Sequence, residues 1–168
     1  HQQREAERQR HAELSELARE RGVELRDLRR PPEDINVPTG ANLEVDAKIV
    51  LTVGSDCASG KKTVAVELDR EARTRGLLSV FCPTGQTGIM IEGWGVAVDR
   101  LVSDFVAGTV EWLVAQAEEM GDFIIVEGQG SIDHPSYSGV TLGLLHGSAP
   151  HAMVMVHEPG RVLHHGWE

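Results

Sequence analysis

At 168 residues, 40% of them apolar, the chain can bury one substantial core and is too short for two comfortable domains. A formal charge of −10, with three Lys against thirteen Arg, argues against a phosphate-backbone partner, so nucleic acid is not expected. Two Cys far apart in sequence, no signal-peptide pattern and no apolar run of membrane-spanning length predict a reduced, cytoplasmic protein without a membrane partner.

Residues 2–21 are rich in helix formers, with Leu14, Leu17 and Ala18 as a narrow apolar stripe, and predict a weakly docked helix. Residues 31–42, PPEDINVPTGAN, have linker chemistry. The chain starts at His1 without an initiator Met and stops at Glu168 just past a strand-like run, so it reads as part of a longer polypeptide. Residues 1–42 are expected to be a helix and linker closing a preceding domain. Residues 43–168 are expected to form an α/β domain truncated at its C-terminus.

From residue 43 onward, short apolar runs alternate with helical periods. KIVLTV (48–53), LSVFC (78–82), FIIVE (123–127) and AMVMV (152–156) are continuous β-rich runs, the pattern of strands buried on both faces. Val64, Leu68 and Ala72 recur at helical spacing, with Gly76 as the C-cap. A second stripe runs from Val98 through Leu101, Val102, Phe105, Val106, Val110, Leu113 and Val114 to Ala117. Strands alternating with helices predict an α/β fold of the P-loop type: three layers, a mostly parallel sheet and helices on both faces. Ligands on such a sheet sit at the carboxyl ends of the strands. GSDCASGKKT, PTGQTG and EGQGSIDHPSYSG each follow a strand directly.

The first of these segments departs twice from the Walker pattern. Gly54 stands five residues, not four, before Gly60-Lys61, and Lys62 occupies the place of the Mg²⁺-binding hydroxyl. Thr63 is one helical step away, about 100° around the axis. A strand entering the loop and a helix leaving it near Lys61 nevertheless predict an anion site built from backbone amides and two ammonium groups. Its residues are Gly54, Ser55, Asp56, Cys57, Ala58, Ser59, Gly60, Lys61, Lys62 and Thr63.

GSDCASGKKT resembles the loop of dethiobiotin synthetase and its relatives, which share the five-residue spacing and an acid at the Asp56 position. VEGQGS (126–131) resembles their second motif, and that likeness implies a Mg²⁺-ATP enzyme with Glu127 helping to hold the metal. A longer likeness covers nearly the whole chain from Gly22. VELRDLRRPP, GSDCASGKKT, PTGQTGIMIEGWGVAVDRLVSDFVAG, VEGQGSIDHPSYSGVTLGLLHGSAP and HEPGR are similar to a bacterial and archaeal family long classed as a domain of unknown function. That family includes D-glutamate N-acetyltransferases, and its members normally carry a separate preceding domain and more chain afterwards. The resemblance implies acetyl-CoA as co-substrate and a D-amino acid as acceptor. Lys62 supports coenzyme A over Mg²⁺-ATP, because a carrier that keeps its phosphates can be neutralised by two Lys and a helix N-terminus without a metal.

Acyl transfer to an amine needs a base, donors for the carbonyl oxygen and alignment of two small-molecule substrates. Glu127, His134 and Asp56 are the candidate bases, Glu127 first, since a partly buried carboxylate beside a Gly-rich turn can have its pKa raised. Glu127 is equally suited to hydrogen-bonding the neighbouring turn, and His134, before Pro135, to stabilising its loop. Oxyanion donors are sought among the amides of Gly128–Ser131 or Thr84–Gly88. Thr84, Gln86, Thr87, Gln129 and Ser131 are the candidate substrate contacts, and Arg161, ahead of Arg100 on a helical stretch, the partner for a substrate carboxylate. Cys57 could carry an acyl group near the helix N-terminus or simply pack. No metal site is expected, because His146, His151, His157, His164 and His165 show no compact ligand spacing. Trp94 and Trp112 are expected in the core or its wall. Three readings stand: an acetyl-CoA-dependent N-acetyltransferase, favoured; a Mg²⁺-ATP ligase or kinase using Lys61, Thr63 and Glu127; and a nucleotide-binding module without chemistry. A homo-oligomer is expected.

Overall fold

The computed structural model describes residues 2–167. Strands β1 (Lys48–Gly54), β2 (Ser79–Cys82), β3 (Phe123–Val126) and β4 (Ala152–Val156) form one parallel sheet in the order β2-β3-β1-β4. They lie within a residue or two of the four apolar runs. Side chains alternate between the faces as the pleat requires. Phe81 and Ile125 pack with Ala65 of α2 (Lys61–Thr74), while Ile49, Leu51, Val80, Cys82, Ile124 and Val126 face the opposite layer. That layer is α4 (Ser103–Glu118) and α5 (Ser138–Ser148), contributing Val106, Val110, Leu113, Val114 and Leu144. The chain therefore has the three-layer α/β architecture that its alternating runs predict.

α1 (Gln2–Arg21) is polar nearly all round, with Leu14 and Leu17 close to half exposed and only Ala18 buried among its described side chains. The 31–42 segment is fastened to the domain. The buried carboxylate of Glu111 accepts hydrogen bonds from the Thr39 hydroxyl and from the backbone N–H groups of Thr39 and Gly40. Asn42 donates to the carbonyls of His146 and Gly147.

The structure departs from the sequence reading at several places. β4, read as buried on both faces, is an edge strand with Met153 and Met155 exposed, since no strand or helix covers that side of the sheet edge among the described residues. The stripe from Val98 is not one helix: Val98–Arg100 form a 3-10 turn, Val102 is extended, and α4 starts only at Ser103. Val98 is fully buried and its N–H donates to the carbonyl of Thr84, which fixes this turn against the loop after β2. α3 (Gln86–Glu92) and α5 are helices that the sequence reading did not draw. In α5 the glycines let it lie close against α4, since a Cβ on Gly147 would fall 2.3 Å from the carbonyl oxygen of Ala107. Trp94 packs against the core, but Trp112 is 48% exposed. Among the described residues no helix is long and apolar enough to cross a membrane.

Candidate functional site

The loop after β1 is shaped by Gly60, whose φ of 101° lies in the left-handed region that a side chain would strain. That turn starts α2 at Lys61 with no side-chain cap, so its first-turn amides keep the unpaired donors of a helix N-terminus. Lys61 is buried and held across the loop, its Nζ donating to Asp56 O at 2.6 Å and to Ser59 Oγ at 3.4 Å. Burial lowers its pKa, partly offset by Cys57 and Asp56.

Glu127 follows β3 directly and is 3% exposed. Its Oε2 accepts the backbone N–H groups of Thr84 and Gly85, both at 3.0 Å, while its own carbonyl takes the Thr84 hydroxyl at 2.6 Å. Burial raises its pKa against the pull of those two amides and of Lys62. The loops after β2 and β3 are thereby joined, beside the loop after β1, at the carboxyl edge of the sheet.

Between them lies a cavity of about 590 Å³. Cys57 through Thr63, Gln86, Thr87, Glu127 and Gln129 line it. These are the residues of the sequence reading that the structure brings together. Gly54, Ser55, Asp56, Thr84, Ser131, His134 and Arg161 are not in its wall. Ser55 pairs with His157, Thr84 Oγ1 is bonded to the Glu127 carbonyl, and Ser131 donates to Asp133.

Asp56 instead forms a knot with the segment after β4. Its Oδ2 accepts Arg161 NH1 at 2.9 Å and the His165 N–H at 2.8 Å, and its Oδ1 accepts the Cys57 N–H at 2.6 Å. Burial alone would raise this carboxyl; the guanidinium and the two amides overcome it and hold it well below the usual carboxylate range. Arg161 also binds the carbonyl of Cys57 and the carboxylate of Glu158, which occupies the fork proposed for substrate. His134 is almost fully buried. Its Nδ1 accepts the Ser136 N–H and its Nε2 faces the His165 carbonyl, both at 3.1 Å, which assigns the proton to Nε2 and leaves neither nitrogen free.

Ligand atoms of Asp56, Cys57 and His134 come within 4.8 Å of one another, a closeness that spacing in sequence did not suggest. The donor set does not fit a metal ion as it stands. A guanidinium already sits on the carboxylate, both imidazole nitrogens are committed, and burial raises the Cys57 thiol despite Lys61. The raised thiol likewise disfavours Cys57 as an acyl carrier.

Five residues of the cavity wall were not singled out from the sequence as site residues: Arg29, Asp99, Tyr137, Val140 and His165. Arg29 lies in the VELRDLRRPP stretch, where two Arg before two Pro gave only a weak signal. The others belong to segments whose path is set by tertiary contacts.

Fold and loop together define a P-loop α/β domain, a class that presents backbone amides to anions at the end of its first strand. The chain belongs to the DUF1611 family: the family profile described as a domain of unknown function (DUF1611_C) P-loop domain matches residues 36–168. A curated D-glutamate N-acetyltransferase of Tritonibacter scottomollicae is 41% identical over 149 residues, covering 89% of this chain and 44% of that protein. A second protein of that name, from a Pseudoalteromonas species, matches with the same identity and shares. The chain thus spans less than half the length of these relatives. The crystal structure of a DUF1611-family protein from Anabaena variabilis superposes with a TM-score of 0.77 at 44% identity, over 80% of this chain and 39% of that one.

Proposed function

We infer that the chain is the coenzyme-binding part of an N-acetyltransferase that moves the acetyl group of acetyl-CoA to the amine of D-glutamate or a related amino acid. The observation that carries this reading is the opening of two features on one cavity: an uncapped helix N-terminus flanked by Lys61 and Lys62, and the carboxylate of Glu127. Both curated relatives bear the name of that activity.

The chemistry assigns each group a task. The coenzyme phosphates are met by the first amides of α2 and by Lys62, whose ammonium stands where a Mg²⁺-binding hydroxyl would otherwise be. Glu127, made more basic than an ordinary carboxylate by burial, takes the proton of the acceptor amine. The amine nitrogen bonds to the thioester carbonyl carbon, the C–S bond breaks, and the coenzyme thiolate leaves to be protonated. Donors for the transient oxyanion are narrowed by the hydrogen bonds present. The amides of Thr84 and Gly85 serve Glu127, and that of Gly128 serves Thr52 Oγ1. The amides of Gln129 and Gly130, or of Gln86 and Thr87, remain in the cavity wall.

A thermal-shift series on the full-length protein tests the reading, since a ligand of the native state raises apparent stability by mass action. Acetyl-CoA is expected to stabilise without Mg²⁺, and thiol release from it to depend on added D-glutamate. Stabilisation by ATP only in the presence of Mg²⁺, with no thiol release, would replace this reading with the ligase or kinase one.

A further inference from the structure

Arg29 precedes the family-profile range, yet its side chain reaches the P-loop domain. Its own backbone N–H donates to Asp27 Oδ1 at 2.9 Å, which fixes the turn from which the side chain departs. NH1 then donates to Gln86 Oε1 and NH2 to Asp99 Oδ2, each at 2.6 Å. Arg29, Gln86 and Asp99 all line the cavity that holds Glu127 and the 57–63 loop.

Arg29 is paired with a carboxylate, Asp99, that lines the cavity beside it, yet it keeps donors to spare. A guanidinium carries five N–H donors, and these two bonds use two of them. Gln86 spends its carbonyl oxygen on Arg29, so its amide nitrogen keeps two further donors beside the same guanidinium. The other cations near the site are differently engaged. Lys61 is bonded into the phosphate loop, Arg161 is bonded to Asp56, Cys57 and Glu158, and Lys62 stands on the first turn of α2. Among the described residues lining the cavity, Arg29 is the only guanidinium.

The complementary charge stands on the other side of one short turn. Gly85 donates to Glu127 and the next residue, Gln86, accepts from Arg29, so an acceptor carboxylate and a donor pair flank the Gly85–Gln86 step. That polarity matches an α-amino acid, whose amine seeks the carboxylate and whose own carboxylate seeks a fork of donors.

We propose that Arg29, held in place by Gln86 and Asp99, anchors a carboxylate of the amino-acid acceptor. The assignment rests on the acyl-transfer reading and adds to it a specificity residue supplied from outside the P-loop domain.

The test is steady-state kinetics on the full-length enzyme carrying Arg29→Ala or Arg29→Lys, with D-glutamate and acetyl-CoA varied separately. Arg29→Ala is expected to raise the KM for D-glutamate at least tenfold and to leave the KM for acetyl-CoA within twofold. Arg29→Lys, which keeps the charge but not the fork, is expected to recover part of the loss and serves alone if the Ala variant does not fold. An unchanged KM for D-glutamate, or a parallel rise for acetyl-CoA, overturns the proposal. If the wild type transfers no acetyl group, the acyl-transfer reading is what has failed. Arg29 is then read from the thermal shift produced by D-glutamate alone, which Arg29→Ala should abolish; a shift that survives, or one never seen with the wild type, overturns the anchor.

Discussion

Asp56 and Arg161, 105 residues apart in sequence, meet at 2.9 Å and tie the loop after β1 to the segment that follows β4. Asp56, one of the candidate bases of the sequence reading, is here a fastening. Because its folded pKa lies below the ordinary 3.8, the stability it contributes is present above pH 3.8 and is lost as pH falls through the folded value.

Replacing Asp56 by Ala should therefore lower Tm at neutral pH and flatten the acid limb of the stability curve. Hydrogen exchange at the amides of Cys57 and His165, which Asp56 protects, should accelerate in the same variant. Unchanged exchange at both amides would show that the knot does not hold the segment.

Glu127→Gln should reduce kcat by about 10²- to 10⁴-fold, the usual value of a general base, while acetyl-CoA still stabilises the protein. In the wild type, the ascending limb of kcat/KM against pH should lie above the ordinary carboxylate value of 4.5, because the base must be ionised and burial resists that. The same shift makes wild-type stability decline as pH rises from 4.5 through the folded pKa, a slope the Gln variant should lack. A limb unmoved by the substitution would remove Glu127 from the proton path.

Lys62→Ala tests the cation at the departure from the Walker pattern. Loss of one charge-assisted phosphate contact, about 1.5–3 kcal/mol, corresponds to a roughly 10- to 100-fold weaker Kd for acetyl-CoA, measurable by calorimetry. Lys62 also lowers the pKa of Glu127, so the ascending limb should move to higher pH in this variant. Wild-type affinity would place the coenzyme phosphates elsewhere.

Glu111→Ala removes the acceptor shared by Thr39 and Gly40 and should cost about 2 kcal/mol, read as a lower urea midpoint. Burial opposes ionisation of Glu111, but its hydrogen bonds prevail and depress its folded pKa. Its contribution is thus present above pH 4.5 and fades as pH falls through the folded value. A midpoint equal to that of the wild type would mean that water satisfies the Thr39–Gly40 turn equally well.

The sheet was legible in the sequence because β1, β2 and β3 are largely buried on both faces and so apolar nearly throughout; β4, equally apolar, is instead an edge strand with Met153 and Met155 exposed. The phosphate loop was legible for a local reason as well: Gly60 and Lys61 are contiguous with the strand and helix they connect. α5 was not, since its glycines are poor helix formers in isolation and are favoured only by the close approach of α4. The break at Val102 was hidden because Val98, Leu101, Val102 and Phe105 keep helical apolar spacing straight across it.

Sequence by itself determined the layers of this protein and the strand-loop-helix corner after β1, because both depend on neighbours along the chain. Tertiary structure alone decided which polar groups are spent and which remain available. It committed Asp56, Arg161 and His134 to one another's segments, left Glu127 on the cavity wall, and brought Arg29 to the same wall from an unrelated stretch. The physical reason is that a charged side chain takes its role from the partner it meets after folding, and those partners lie up to 109 residues away.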